Sequence, residues 1–282
     1  MDEHRRADLN EIRAFFAKMM ATASGSTDAR LERIFELVPR EAFLGPGPWK
    51  IRVNRSYVET PSADPSYLYN NVLVALDGAK GINNGEPFLH AAWIGRIAPQ
   101  PGESVVHIGT GTGYYTAVLA MLVLPNGTVH GFEIEKDIAD RARANLEPFE
   151  GISIVDADAA AQALPAADII YINAGVGSLP GHWLTALKPG GRLIFPWQAT
   201  ERHGVTMLVT RTAAGYATRA LMPSWFIPCV GTQDPAFCLR APDTSQIAGI
   251  RSAWLNAEAP PDDSAVAVYK DIWFSRAETT KN

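Results

Sequence analysis

A glycine-rich segment with alternating spacing, Gly109 to Gly113, follows an apolar run at 104–108 and reads Gly-Thr-Gly-Thr-Gly. Glycine lets a backbone turn sharply and come close to a ligand, and a helix that starts at such a turn presents unpaired N–H groups to anions. The residues after it, 113–123, have an apolar helical pattern. We therefore predict a ligand-binding loop between a strand and a helix, with contacts from Gly109, Thr110, Gly111 and Gly113.

The spacing of the glycines separates two classes of cofactor. A dinucleotide fingerprint reads GxGxxG, whereas here Tyr114 follows a third glycine that comes one residue early. The GxGxG pattern is typical of class I methyltransferases, in which the loop supports the methionine end of S-adenosylmethionine. S-adenosylmethionine is therefore the predicted cofactor, and a strand-to-helix turn without a ligand is the alternative.

Two acidic side chains follow later strands of the same pattern. Glu133 ends the strand predicted at 128–133, where a carboxylate can accept hydrogen bonds from both ribose hydroxyls, and Glu135 is the nearest alternative. Asp158 follows the third strand and can accept from the adenine amino group, with Asp156 left as its alternative. These acids are predicted to bind the nucleoside part of the cofactor.

The next strand end adds an amide to this set. Asn173 closes the fourth strand, at the carboxyl edge where open α/β sheets bind ligands. Ile134 and Ala159, which follow the two predicted acids directly in the sequence, are expected to contact the cofactor as well. All of these residues come after strand ends, so one edge of a sheet is predicted to carry the cofactor.

The elements that position these residues alternate between strands and helices. Runs such as 105–108 and 169–172 are almost entirely apolar, which is typical of parallel strands covered by helices on both faces. This alternation predicts a Rossmann-like, doubly wound α/β sheet. The sheet is expected to be mostly parallel, with an antiparallel C-terminal hairpin at 205–210 and 217–222. Strands are predicted at 104–108, 128–133, 152–155, 168–172 and 191–195, with helices at 113–123, 136–146 and 180–187.

The chain divides into three predicted stretches. Residues 1–80 are expected to form an N-terminal extension, helical in the first 40 residues and irregular from 50 to 80. Residues 81–235 form the predicted methyltransferase core and begin with a helix at 87–97. Residues 236–282 are expected to pack on the core, with a helix at 246–256 and a strand at 265–274.

Composition excludes several classes of protein. Hydrophobic residues make up 47% and charged residues 20%, which indicates a globular protein with a full core. The net charge of −5 argues against non-specific nucleic-acid binding. Cys229 and Cys238 lack zinc-ligand spacing, so no metal is predicted. No apolar run reaches the roughly 18 residues of a membrane helix, and the cytoplasm is the expected compartment.

Several segments, taken in order between about residues 31 and 230, resemble the protein-L-isoaspartyl (D-aspartyl) O-methyltransferase family. The resemblance implies S-adenosylmethionine-dependent methylation of a carboxylate on a peptide or protein. A carboxylate is ionised at neutral pH, so positioning in a water-poor pocket would contribute more than a strong base. The matching segments are VPREAFL at 38–44, VVHIGTGTGYYTAVLA at 105–120, LKPGGRL at 187–193 and WFIP at 225–228.

One segment departs from the family. The family carries G-x-T-I-S-x-P with a serine at the catalytic centre, whereas residues 81–87 here read G-I-N-N-G-E-P. Aligned on the proline, Gly85 takes the place of the serine and Asn83 that of the threonine. Asn83, Asn84 and Gly85 are therefore the predicted catalytic positions, where an amide can hydrogen-bond a carboxylate or the cofactor. A plain turn before a helix is the alternative for both asparagines.

The helix after this segment adds two candidates. His90 matches a position that contacts the cofactor in some family members, and Glu86 is expected to contact the cofactor or the acceptor. For His90, a packed helix histidine is the alternative. The missing serine leaves three functions open: an isoaspartyl-type methyltransferase, a methyltransferase of a biosynthetic peptide or small-molecule carboxylate, and an inactive cofactor-binding module.

Overall fold

The computed structural model describes residues 8–54 and 56–279. Contacts divide the chain into two compact units, each discontinuous in sequence. The first contains Met1–Gly102, Thr110–Val129 and Lys136–Ile154, and the second contains Glu103–Gly109, His130–Glu135 and Val155–Asn282. Within the described ranges, no helix has the length and apolar character needed to cross a membrane.

Helices dominate the first unit. α1 (Leu9–Ser24) and α2 (Arg30–Leu37) confirm the predicted N-terminal helices. α3 (Pro87–Ile97) begins with proline at its first turn, where a missing N–H costs nothing. Gly95 lets α3 approach α1 closely, because an added Cβ would lie 3.0 Å from the carbonyl carbon of Ser24. α4 (Tyr114–Val123) and α5 (Lys136–Leu146) follow the predicted bounds closely.

Residues 50–80 are more regular than the sequence indicates. β1 (Lys50–Val53) and β2 (Ser56–Glu59) form an antiparallel hairpin, and β3 (Ala75–Asp77) pairs with β4 (Ile82–Asn83). These strands are short and partly exposed, so they lack the alternation of buried and exposed residues that marks a strand in sequence.

The large sheet has 11 strands in the order β12-β14-β15-β13-β11-β10-β9-β8-β5-β6-β7. β5, β8 and β9 are parallel neighbours, while β9, β10 and β11 pair antiparallel and confirm the predicted hairpin. Helix α6 (Gly181–Thr185) precedes β9. The strands are β5 (Ser104–Ile108), β6 (Thr128–Glu133), β7 (Ile152–Asp156), β8 (Ala167–Ile172), β9 (Leu187–Thr200), β10 (His203–Thr212) and β11 (Gly215–Pro223).

The C-terminal region extends this sheet. The helix predicted at 246–256 is wrong: a 3-10 turn at Thr244–Gly249 leads into β13 (Ser252–Leu255), which pairs with β11 and β15. Apolar residues at 247, 250 and 254 have helical spacing, but Trp254 stacks on Trp273 across the strand pair, at 6.0 Å between ring centroids. The remaining strands are β12 (Cys238–Arg240), β14 (Ala265–Tyr269) and β15 (Ile272–Ser275), the last two replacing the single strand predicted at 265–274.

Candidate functional site

Gly109 directly follows β5 and lies in the left-handed region, with φ at 76°. Its N–H donates to the carbonyl oxygen of Phe132 at 2.9 Å. An added Cβ would lie 3.3 Å from the carbonyl carbon of Asn173, so the backbone approaches the end of β8 too closely for a side chain to fit easily. Glycine is needed here both for its conformation and for the space.

In the first unit, the later part of the loop leads into α4. Gly113 has φ at 101° and precedes Tyr114, the first residue of the helix. An added Cβ on Gly113 would lie 2.8 Å from Leu146 Cδ1. Gly111 has φ at 57°, and Thr110 is buried. The glycines thus permit a tight turn against α5 at the N-terminus of a buried helix.

In the second unit, Glu133 lies at the end of β6 with only 7% of its surface exposed. Its Oε1 accepts a hydrogen bond from the backbone N–H of Glu135 at 3.1 Å, which fixes the carboxylate. Glu135 is half-buried and Ile134 is exposed. Of the two acids that the sequence offers for the ribose, Glu133 is therefore the buried one.

Asp158 lies beside the segment that follows β11. Its Oδ1 accepts from the N–H of Ala160 at 2.9 Å, and a Cβ added to Gly231 would lie 2.9 Å from Oδ2. Burial, together with the negative charges of Asp158 and Glu133, raises the pKa of the Cys229 thiol to about 12. Glu133 and Asp158 therefore act on the same buried thiol, while Asp156 is exposed.

Asn173 follows β8, and its N–H donates to the carbonyl oxygen of Ile108 at 2.7 Å. Its side-chain Oδ1 is buried and has no hydrogen-bond partner among the residues that the structure describes. Buried acceptors are normally paired, so this oxygen is a candidate for contact with a ligand. Ala159 is also buried, and its carbonyl oxygen accepts from Trp183 Nε1 at 3.1 Å.

The two asparagines before α3 have different roles in the first unit. Asn83 Oδ1 accepts from the N–H of Gly85 at 3.0 Å, which closes a local turn. Asn84 is buried and pairs with Val74: its Oδ1 accepts the Val74 N–H at 2.8 Å, and its own N–H donates to the Val74 carbonyl at 3.0 Å. Asn84 Nδ2 is buried without a hydrogen-bond partner in the described part of the chain.

Gly85 has φ at 78°, a conformation that side chains rarely adopt. A Cβ built on it would overlap the His90 imidazole, lying 2.7 Å from Cδ2. His90 is fully buried and stacks on Tyr115, with ring centroids 3.8 Å apart and planes inclined at 20°. The position at which a side chain would emerge from residue 85 is therefore filled by the imidazole.

Comparison with known proteins identifies the relationship. The family model for protein-L-isoaspartate(D-aspartate) O-methyltransferase (PCMT) matches residues 51–234. The chain belongs to this family. A protein-L-isoaspartate O-methyltransferase of Bradyrhizobium sp. is 32% identical over 212 residues, covering 73% of this chain and 88% of that protein. The protein of the same name from Ignicoccus hospitalis is 29% identical over 197 residues, covering 68% and 85%.

Solved structures show the same fold. A protein-L-isoaspartate O-methyltransferase superposes with a TM-score of 0.68 at 22% identity, covering 93% of this chain and 86% of that one. A Plasmodium falciparum structure described as a β-aspartate methyltransferase in complex with S-adenosyl-L-homocysteine gives a TM-score of 0.62 at 18% identity, covering 78% and 98%. The first match extends beyond the family model, so the shared fold is not restricted to residues 51–234.

Some family segments have structural roles here. In the LKPGGRL turn, Lys188 Nζ contacts Asp168 Oδ2 at 2.8 Å, and Arg192 Nη1 contacts Glu103 Oε1 at 2.6 Å. Partial burial opposes ionisation of Asp168, but hydrogen bonds from Lys188 and Ser104 lower the pKa of its carboxyl group. These pairs hold the start of β9 beside β8 and β5.

Sequence reasoning missed two residues, Asn71 and Tyr115, that contact residues 86–90 at the start of α3. Asn71 Nδ2 donates to Glu86 Oε1 at 2.6 Å, while Asn71 Oδ1 accepts the Phe88 N–H at 2.8 Å, so one side chain holds the start of α3. Tyr115, which stacks on His90, is the second residue after the glycine loop, and the aromatic pair Tyr114-Tyr115 is the sequence signal at this position. Among described residues, no group of three or more His, Cys, Asp or Glu side chains is arranged to hold a metal ion.

Proposed function

We propose that the chain methylates a carboxylate of a peptide or protein, with isoaspartyl residues as the acceptor, and uses S-adenosylmethionine as donor. The observation that carries the proposal is the buried Glu133 carboxylate at the end of β6, one strand after a glycine loop of GxGxG spacing. Family membership supports both the reaction type and the donor.

The residues of the second unit fit a nucleoside with an amino-acid tail. Glu133 would accept from the ribose hydroxyls, and Asp158 from the adenine amino group. Asn173 Oδ1, buried and without a partner among the described residues, fits an ammonium donor such as that of the methionine part. Gly109, at positive φ and without a side chain, lets the backbone beside Asn173 come close to a ligand. When bound, S-adenosylmethionine supplies a methyl group on a positively charged sulfur.

On the acceptor side, Asn84 is the residue that we expect to hold the carboxylate. Its Oδ1 is committed to Val74, which orients Nδ2 as the remaining donor. An acceptor carboxylate is already ionised at neutral pH, so a hydrogen-bond donor that positions it is of more use than a base. Glu86 is exposed and held by Asn71, which favours contact with the acceptor chain over contact with the donor.

Calorimetry with S-adenosylhomocysteine tests the cofactor half. We expect Glu133→Gln to weaken binding by about 1–3 kcal/mol, because the neutral amide loses a charge-assisted pair. Gln retains an oxygen for the Glu135 N–H, so the local turn is preserved. Glu135→Gln is the matched control. A loss of affinity for S-adenosylhomocysteine in that variant alone would indicate that Glu135, and not Glu133, contacts the ribose.

Methyl transfer from labelled donor to paired peptides, identical except for isoaspartyl or aspartyl at one position, tests the acceptor. We expect label on the isoaspartyl peptide alone. Label on the aspartyl peptide would indicate a different carboxylate acceptor. Tight binding of S-adenosylhomocysteine with transfer to neither peptide would reject the isoaspartyl acceptor.

A further inference from the structure

The second unit contains a cavity of about 540 Å³ that the cofactor residues do not line. Its walls come from the segment after β8, the end of β9, the segment after β11 and the C-terminal region. The residues that line these walls include Gly177, Gln198, Glu201, Trp225, Asp234 and Tyr269. Tyr269 lies outside the matched family segment, so part of this cavity is built by the C-terminal region.

Hydrogen bonds join the segments that form the cavity walls and hold them in place. Gln198 Nε2 donates to the Phe226 carbonyl at 2.6 Å, and Gln233 Nε2 donates to the Gly175 carbonyl at 2.6 Å. The Gly175 N–H donates to the Ile227 carbonyl at 2.7 Å, which joins the segment after β8 to the segment after β11. The cavity is therefore present before any ligand binds, which lowers the entropic cost of binding.

The charged and aromatic side chains of the walls indicate that the ligand carries a positive charge. Glu201 and Asp234 contribute carboxylates, Trp225 contributes an indole, and none of the residues described as lining the cavity is Lys, Arg or His. The lysine that follows Tyr269 in sequence, Lys270, lies over the Phe237 ring at 5.1 Å. Carboxylates beside an indole face are the surroundings that stabilise an ammonium or guanidinium group.

Exposed apolar residues that neighbour lining residues in sequence, called here the apolar rim, point to a polypeptide ligand. Trp225 is 57% exposed, and Ile227 and Val230, which lie between the lining residues Trp225 and Thr232, are also exposed. Leu239, next to the lining residue Cys238, is 65% exposed. Exposed apolar groups next to a cavity are typical of surfaces that bind other chains.

We propose that this cavity binds a lysine or arginine side chain of the acceptor polypeptide, near the residue that is methylated. This assignment rests on the proposed function. Gly177 is four residues from Asn173, so the cavity wall begins no more than about 14 Å from Asn173, the residue that follows β8. An extended acceptor covers that distance in about four residues, and the apolar rim would contact the chain between the two points.

A positional peptide series tests the proposal. Isoaspartyl peptides carrying lysine at one of the four positions on either side of the acceptor are compared with matched glutamine peptides for kcat and KM. We expect lysine at one or two neighbouring positions to lower KM by about fivefold with little change in kcat, as a bound cation outside the reacting centre would. Equal KM at every position would overturn the proposal and leave the proposed function intact.

Variants then assign the preference to the cavity. Glu201→Gln combined with Asp234→Asn should bring the lysine-to-glutamine KM ratio close to one. Asn at 234 can still accept the Ala236 N–H that Asp234 accepts now, so the 3-10 turn after it is preserved. Glu258→Gln removes an exposed carboxylate elsewhere in the second unit and should keep the ratio unchanged. A preference that survives the double variant would place the cation elsewhere and reject this cavity.

Direct binding separates failure of this proposal from failure of the proposed function. The fluorescein-labelled lysine and glutamine peptides are titrated with the whole protein and followed by anisotropy. Tighter binding of the lysine peptide, lost in the double variant, with no methyl transfer would uphold the cavity and reject the isoaspartyl acceptor. Equal binding of both peptides would reject the cavity whether or not transfer occurs.

Discussion

The glycine loop at 109–113 and the acceptor segment at 81–87 both hold glycines at positive φ, but the surroundings differ. Gly113 faces the Leu146 side chain across a helix contact. Gly85 faces the imidazole of His90, which belongs to the helix that the segment itself begins. In the loop, glycine keeps the chain close to its packing partners. In the acceptor segment, it makes room for the His90 imidazole from one turn further on.

This difference changes what the missing serine means. From sequence alone, Gly85 looks like a family position that has lost its hydroxyl. In the structure, position 85 cannot hold a side chain unless His90 moves, and His90 is held against Tyr115. The hydroxyl and the imidazole would therefore occupy the same volume, and the polar side chains of the segment are those of Asn83, Asn84 and Glu86.

The largest effect is expected for Gly113→Ala. The added methyl group meets Leu146 and the backbone φ of 101° becomes strained, so unfolding free energy should fall by about 2–4 kcal/mol. Urea denaturation measures it. Gly190→Ala is the control, since Gly190 has φ at 79° and no atom of the described residues lies within 4 Å of an added Cβ, so strain alone should cost about 1–2 kcal/mol. Equal losses would mean that packing against Leu146 contributes nothing.

Gly85→Ser should lower methyl transfer rather than restore it. The new Cβ displaces His90, and misplacing groups at a reacting centre by about 1 Å can reduce the rate by about a hundredfold. We expect kcat/KM to fall at least about tenfold. Gly81→Ser is the control, because Gly81 has φ at 71° and open space around an added Cβ. Increased isoaspartyl transfer by Gly85→Ser would show that His90 can leave this volume without loss.

The double variant Gly85→Ser with His90→Ala sharpens that result. Removing the imidazole opens the volume, so the double variant should be more stable than the sum of the two single changes predicts, by about 1 kcal/mol or more. Thermal unfolding of the four proteins gives this coupling. Additive effects would show that backbone strain at φ 78°, and not overlap with His90, sets the cost at position 85.

The sequence was sufficient where local pattern and burial agree. β5, β6 and α3 have their predicted bounds because buried strands and helices carry long apolar patterns. It was insufficient for residues 50–80 and 246–256, where short strands depend on pairing with distant partners. Asn84 shows the same limit within the site. The amide is visible in sequence, but its bond to Val74, which continues the β3–β4 pairing, and the lack of a partner for Nδ2 among the described residues are seen only in the structure.

Asn84 variants separate its structural and binding roles. Asn84→Leu leaves the buried Val74 N–H unsatisfied and should cost about 1–3 kcal/mol of unfolding free energy. Asn84→Asp keeps an oxygen that can accept the Val74 N–H but replaces the Nδ2 donor. It should therefore raise KM for the isoaspartyl peptide, while lowering the unfolding free energy less than Asn84→Leu does. Asn83→Ala removes only the local turn and serves as the control. Unchanged KM in Asn84→Asp would restrict Asn84 to a structural role.

The smallest effect is expected at Asn71, which supports the acceptor segment from outside, as Asn145 supports the glycine loop by donating from Nδ2 to the Thr112 carbonyl at 2.9 Å. Asn71→Ala removes the acceptor for the Phe88 N–H in the first turn of α3 and should cost about 1 kcal/mol, as the loss of a helix cap does. Asn71→Asp keeps that acceptor, and a negative charge at a helix N-terminus is favourable, but it faces the Glu86 carboxylate. We therefore expect Asn71→Asp to be near wild type in urea denaturation. A loss as large as that of Asn71→Ala would mean that the bond to Glu86, rather than the bond to the helix, is what Asn71 contributes to this segment.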